Sequence, residues 1–135
     1  MAWVAIVIAS TISAVAGGAY AHHYVTYEVP RSQIVVTVSK DLEKCGPQFP
    51  LLVTVLNGSA KTVARTWVYV SARLPERSTD YAKRFDALEN DRLIPPGEGW
   101  RQCRSAPINA YAPGATQVEQ GALVWSLADY RIAFE

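Results

Sequence analysis

The chain has 135 residues, with 13 Lys or Arg, 12 Asp or Glu and a formal net charge of +1. The charges are interspersed along the chain rather than gathered in blocks, which argues against a nucleic-acid-binding stripe and against a polybasic lipid-binding patch. The length suits one domain with an appendage, because the first 21 residues differ sharply in composition from the rest.

The N-terminal segment is predicted to meet a membrane. Residues 2–21 carry no charge, and a helix over residues 3–21 would be about 28 Å long, close to the thickness of a bilayer core. Two fates stay open, because Ala-Tyr-Ala at 19–21 suits signal-peptidase cleavage whereas the first three residues lack the Lys or Arg of a signal peptide. We expect a retained transmembrane signal-anchor helix over residues 1–24 and a periplasmic β-domain over residues 25–135.

One face of this predicted helix carries small side chains. A face of this kind lets helix backbones approach closely, which is how transmembrane helices associate. The other interpretation is that Ala and Gly are simply common in signal segments. The functional interpretation predicts that the helix packs against other membrane helices. The packing residues would be the small residues that recur every four positions: Ala5, Ala9, Ser13, Gly17 and Ala21.

After the N-terminal segment the hydrophobic pattern changes to a period of two, which is typical of β-strands. The pattern and the turn signals predict strands at residues 33–39, 51–56, 63–74 and 100–104, an ambiguous strand at 85–88, and a closing pair at 123–127 and 130–134 around Ala128-Asp129. Six or seven short strands without a convincing soluble helix predict an all-β, antiparallel sandwich. Trp100 and Trp125 are assigned to its core.

The longest predicted strand, residues 63–74, has two distinct faces. One face is largely apolar and is expected to pack in the core. The other carries Arg65, Trp67, Tyr69 and Arg73, and residues of these types dominate binding hot spots. These four residues are therefore a candidate protein-binding face, with the alternative that the face only packs against a second sheet.

The only cysteines are Cys45 and Cys103. An even pair in an exported domain predicts a structural disulfide, whereas two free thiols would be expected in a cytoplasmic domain. The pair has neither Cys-x-x-Cys spacing nor a nearby His, so zinc binding and thiol redox catalysis are disfavoured.

The sequence predicts no catalytic residues, no cofactor and no metal. His22 and His23 are the only histidines and precede the β-domain, so a Ser-His-Asp or Cys-His arrangement cannot form inside that domain. A metal needs three or four converging ligands, and no further ligand stands at a recognisable spacing from these histidines. Carboxylate pairs such as Glu76 with Asp80 lie in a polar region that is typical of solvated surface. We therefore expect a protein that is not an enzyme.

A stretch within residues 51–103 combines an Asn-centred turn at 57–62, a long strand after it and an Ile-Pro-Pro-Gly-Glu turn at 94–98. With these features it resembles the small immunoglobulin-like modules of the FxLYD type and their relatives in bacterial envelope proteins. Residues 85–88 approximate the position of the family's aromatic signature. The resemblance implies an immunoglobulin-like sandwich with a binding or scaffolding role and brings no catalytic residues.

The predicted function is that of a non-catalytic, single-pass accessory subunit of a bacterial inner-membrane complex. The expected partners are integral membrane protein subunits of that complex and membrane lipid, and no nucleic acid. The cysteines and the signal-like start indicate that the C-terminal domain lies in the periplasm. The alternative is a cleaved, soluble periplasmic or secreted β-sandwich that binds a ligand or an envelope polymer, and retention of residues 1–21 distinguishes the two.

Overall fold

A computed structural model of the chain describes residues 14–135. The chain divides into two units, Met1–Gln33 and Ile34–Glu135. In the first unit, the described residues are helical from residue 14 to residue 32, with a π-helical turn at Tyr24–Glu28 followed by an α-helical turn at Val29–Ser32. The helical segment ends at Gln33, whose backbone N–H donates to the carbonyl of Pro30 at 3.1 Å.

Residues 1–13 of the predicted transmembrane helix lie outside the described residues. Within residues 14–135, no helix combines the length and the apolar composition that crossing a membrane requires. Of the predicted packing residues, Ala5, Ala9 and Ser13 lie outside the described part of the chain, whereas Gly17 and Ala21 are exposed on a helix. Helix packing through this face therefore stays a prediction.

The second unit consists of six antiparallel strands in two three-stranded sheets. One sheet has the order β1-β2-β5 and the other has the order β4-β3-β6. This arrangement confirms the predicted all-β class and is consistent with a sandwich. The strands are β1 Ile34–Lys40, β2 Leu51–Asn57, β3 Val63–Arg73, β4 Leu88–Asn90, β5 Gly99–Arg104 and β6 Val124–Phe134. Short helical turns occur at Leu42–Cys45, Ala115–Gln117 and Gln120–Ala122.

One hydrophobic core is shared by both sheets. Val53 and Val55 come from β2, and Val68 and Val70 come from β3, each at most 1% exposed. Burial of a valine side chain contributes about 1.5–3 kcal/mol relative to leaving it exposed. Trp125 is buried in this core as predicted, whereas Trp100 is half-buried and packs against it.

The prediction of a closing hairpin at the C-terminus is wrong. A single strand, β6, runs through Ala128-Asp129 and pairs with β3 from end to end. Tyr69 pairs with Asp129 and Val70 pairs with Leu127, so Ala128 is the extra residue of a β-bulge. The bulge breaks the alternation of apolar and polar residues, and the sequence pattern therefore indicated a turn.

The two turns that carry the family resemblance, residues 57–62 and 94–98, are both hydrogen-bonded to the side chain of Asn57. Asn57 is 2% exposed, and its Nδ2 donates to the carbonyls of Lys61 and Ile94, at 2.8 Å each. Its Oδ1 accepts from the backbone N–H of Ser59 at 3.0 Å and from the Ser59 hydroxyl at 2.7 Å. The backbone N–H of Asn57 donates to the carbonyl of Glu98 at 2.8 Å. The turn after β2 and the turn before β5 are thereby joined.

The predicted disulfide between Cys45 and Cys103 is confirmed. Cys45 ends the turn Leu42–Cys45, which begins at Asp41, and the Asp41 carboxylate accepts the backbone N–H of Lys44 at 3.0 Å. Cys103 lies on β5 opposite Leu52 of β2. The bond links positions 58 residues apart.

Candidate functional site

The four predicted binding residues lie together on the surface of the β4-β3-β6 sheet that points away from the core. The alternating neighbours of these residues on β3, from Thr66 to Ala72, are buried. Arg65 and Arg73 are exposed, and Trp67 and Tyr69 are half-buried. We call this surface the outer face.

One end of the outer face is stabilised by contacts among its own residues. The Arg65 guanidinium lies 5.8 Å from the centre of the Trp67 ring, and its Nη1 lies 3.5 Å from Oε1 of Glu89 on β4. Both charged side chains are about half exposed, so the ion pair contributes only about 0.2–1 kcal/mol. The positive charge of Arg65 is thus partly compensated within the domain.

The other end of the outer face contains two adjoining depressions that share Arg84 and Ala128. The larger, of about 550 Å³, is the arginine lobe, and the smaller, of about 290 Å³, is the aromatic lobe. We call the pair the groove. Residues of the arginine lobe include Ser71, Arg73, Arg77, Asp80, Arg84 and Ser126. The aromatic lobe is lined by Tyr69, Arg84, Phe85, Ala128, Asp129 and Arg131.

Asp80 holds a loop against β3, and this loop forms one wall of the groove. Its carboxylate accepts the backbone N–H of Ala72 at 2.9 Å, the N–H of Ala82 at 3.0 Å and the Ser71 hydroxyl at 2.8 Å. Burial alone would raise the pKa of Asp80. These hydrogen bonds and the nearby Arg73 charge outweigh that effect, so the pKa lies below its usual value of 3.8. The loop is further held by the backbone N–H of Tyr81, which donates to the Ala72 carbonyl at 2.7 Å.

Because the pKa of Asp80 is lowered in the folded state, its carboxylate stabilises the fold above the unfolded pKa, and this stabilisation is lost as pH falls through the folded pKa. We expect Asp80→Asn to lower the free energy of unfolding near pH 7 by about 1–3 kcal/mol, since the amide cannot accept all three hydrogen bonds. The loss should shrink below pH 4. Chemical denaturation between pH 3 and pH 7 measures both effects. Asp91→Asn is the matched control, because Asp91 is exposed and should change stability little at any pH.

Sequence reasoning found part of this site, and of the residues that line the groove it identified Tyr69 and Arg73. It identified Arg65, Trp67, Tyr69 and Arg73 from strand alternation. It missed Arg77, Arg84 and Phe85, because these lie in a loop that long-range hydrogen bonds bring beside β3. A usable signal was the concentration of arginines in residues 73–84 directly after the candidate strand.

The geometry of the described residues defines a class of protein domain. The domain is a disulfide-bonded, two-sheet antiparallel β-domain with an arginine-lined groove on one outer face. Within residues 14–135, no three His, Cys, Asp or Glu side chains are grouped as metal ligands. Comparisons with known protein families, with curated proteins and with solved structures found no match.

Proposed function

We propose that this protein is a non-catalytic accessory subunit of a bacterial inner-membrane complex. In this proposal residues 1–24 are a transmembrane signal-anchor helix that packs on other membrane subunits. The β-domain is an immunoglobulin-like sandwich in the periplasm, and it docks on the complex through its outer face. The observation that carries the proposal is this face, which exposes arginines and aromatic side chains side by side.

The composition of the outer face supports a docking role. Trp, Tyr and Arg are enriched at the energetic centres of protein interfaces. Phe85, beside Tyr69 in the aromatic lobe, is 91% exposed. A phenylalanine this exposed contributes little to the core of its own domain, and its burial by a partner would remove apolar surface from water.

The disulfide supports an extracytoplasmic location, since disulfides persist in oxidising compartments such as the periplasm. The apolar composition of residues 2–21 supports export or anchoring. Both features suit a domain that meets its partner on the periplasmic side of the inner membrane.

The two carboxylates with lowered pKa values have structural roles. In the described part of the chain, the two carboxyl groups with resolved shifts, Asp41 and Asp80, both have lowered pKa values. Burial opposes the shift at Asp80, and its oxygens are occupied by hydrogen bonds from the protein itself. Both carboxylates serve to hold loops.

The second candidate is a cleaved, soluble periplasmic or secreted domain that binds a ligand or an envelope polymer. The size of the arginine lobe favours it, because about 550 Å³ lies in the range of small-molecule sites. The two candidates differ in whether the N-terminal segment is retained and in whether the protein has stoichiometric membrane partners.

The deciding experiment is purification of the C-terminally tagged protein from native membranes in mild detergent, followed by mass spectrometry. The proposal expects an intact N-terminal peptide that begins at Met1 together with stoichiometric integral membrane subunits. A chain that begins at His22 and is recovered alone from the soluble fraction would contradict it and favour the second candidate.

A further inference from the structure

The groove has an excess of positive charge that the domain does not compensate. Arg77 and Arg84 are exposed and line the arginine lobe, and within residues 14–135 neither forms a salt bridge with a carboxylate. Arg73 lies near Asp80, but the oxygens of Asp80 already accept three hydrogen bonds from β3 and the loop. The arginine lobe therefore holds three guanidinium groups and one carboxylate, Asp80, that is already engaged. The aromatic lobe adds Arg131 and Asp129, so the groove as a whole still has two more positive than negative side chains.

The chemistry of the arginine lobe favours anionic groups, carboxylates among them. Guanidinium groups present a planar set of donors that matches carboxylate oxygens, often in a bidentate arrangement. The hydroxyl of Ser126, which lies opposite Ser71 on β6, is a further donor in the same lobe, whereas the hydroxyl of Ser71 already donates to Asp80. A neutral or cationic ligand would leave the arginine charges uncompensated.

The aromatic lobe offers an apolar contact beside the carboxylate, and Asp129 and Arg131 line the same lobe. Tyr69 and Phe85 line it, and Arg84 lies between the two lobes because it lines both. Along β3, Tyr69 and Arg73 are separated by about 13 Å at about 3.3 Å per residue. An extended polypeptide with the same rise per residue places side chains four positions apart at that distance and on one side.

We propose that the groove binds an extended acidic segment of a partner protein. One or two carboxylates of the segment lie among Arg73, Arg77 and Arg84, and an aromatic or large aliphatic side chain two to four positions away lies between Tyr69 and Phe85. This inference deepens the proposed docking function and rests on it, since it assigns the chemistry of the partner surface.

The test measures binding of labelled peptides to the full-length protein in neutral-lipid nanodiscs by fluorescence anisotropy. The probe is the heptapeptide Ser-Glu-Ser-Glu-Ser-Phe-Ser. One control peptide has Gln in place of both Glu, and a second has Phe moved by one position, which turns its ring to the opposite side of an extended chain. We expect saturable binding of the probe and binding weaker by about tenfold for each control peptide.

The protein variants distinguish binding in the groove from attraction by the general surface charge. Arg77→Gln with Arg84→Gln is expected to weaken probe binding by about tenfold. The matched control, Arg92→Gln with Arg101→Gln, removes the same charge from exposed positions that do not line the groove, and should leave binding within about twofold. Binding should also weaken as salt rises from about 0.1 M to about 1 M, where the screening length falls from about 10 Å to about 3 Å.

Several results would overturn the inference. Equal affinity for the Glu and Gln peptides would remove the role of carboxylates. Displacement by inorganic phosphate with no dependence on the Phe position would indicate a small-anion site. Displacement of the probe by soluble glycerol phosphate, which carries a headgroup charge without a bilayer, but not by inorganic phosphate, would indicate a lipid-headgroup site.

Failure of the inference is distinguishable from failure of the proposed function. If membrane subunits co-purify with the wild-type protein but the probe does not bind it, the accessory role stands and the acidic-segment inference fails. If no subunit co-purifies but the probe binds as expected, the groove binds acidic segments and the accessory role fails.

Discussion

Replacement of both cysteines, Cys45→Ser with Cys103→Ser, is expected to lower the free energy of unfolding of the β-domain by about 4 kcal/mol. The disulfide closes a loop between positions 58 residues apart, and the chain entropy that this loop removes from the unfolded state accounts for a loss of that size. Small domains are stable by about 5–15 kcal/mol in total, so the variant should be markedly easier to unfold. Guanidinium denaturation followed by tryptophan fluorescence measures the loss.

The matched comparison is the unmodified protein with and without a reductant. Reduction should move the unfolding midpoint of the wild-type protein to that of the serine variant and should leave the variant unchanged. Coincident unfolding curves for the oxidised and reduced protein would show that the bond does not constrain the unfolded chain.

Replacement of Asn57 by Ala is expected to cost about 2–4 kcal/mol, far more than a surface turn residue. The variant loses the two hydrogen bonds that Asn57 Nδ2 donates and the two that its Oδ1 accepts. The Ile94 carbonyl still accepts from the N–H of Val63, and the Ser59 hydroxyl still reaches the carbonyl of Lys61. The backbone N–H of Ser59 loses its acceptor, and a buried donor left unpaired carries the full cost of its desolvation. The backbone bonds between Asn57 and the turn at Gly97 and Glu98 remain, so the variant removes only the side-chain link between the two turns.

Two variants test this explanation in the same denaturation experiment. Asn57→Asp keeps an acceptor for Ser59 but removes both donors, so it should also be strongly destabilising. Asn109→Ala is the control, because Asn109 makes only an exposed side-chain bond, to the backbone N–H of Tyr111, and should cost under about 1 kcal/mol. Equal stability of the Asn57 and Asn109 variants would contradict the role assigned to Asn57.

Strand alternation predicted β1, β2 and β3 closely because each has one face in the core. On β3 the core-facing positions Thr66, Val68, Val70 and Ala72 follow the period of two. Ser71 is also buried, and the register shifts between Val63 and Arg65 near the start of the strand. The same rule failed at the C-terminus, where the bulge at Ala128 shifts the register halfway along β6. A bulge depends on how two strands pair, and one strand alone does not reveal it.

Long-range contacts explain what the sequence did not predict about the site. Asn57 was identified as a turn residue, but its bond to Ile94 spans 37 positions and depends on the tertiary fold. The groove likewise depends on Asp80, whose bonds to Ser71 and Ala72 bring Arg77 and Arg84 beside β3. The cysteine pair was predictable because the chain contains only two.

Site-specific photo-crosslinking in native membranes tests the docking role of the outer face most directly. A photoreactive phenylalanine analogue replaces Tyr69 on the outer face or, as the control, Leu56 on the other sheet, which is 48% exposed. We predict that position 69 crosslinks to an integral membrane subunit and that position 56 does not. Crosslinks to such a subunit from position 56 alone would contradict docking through the outer face.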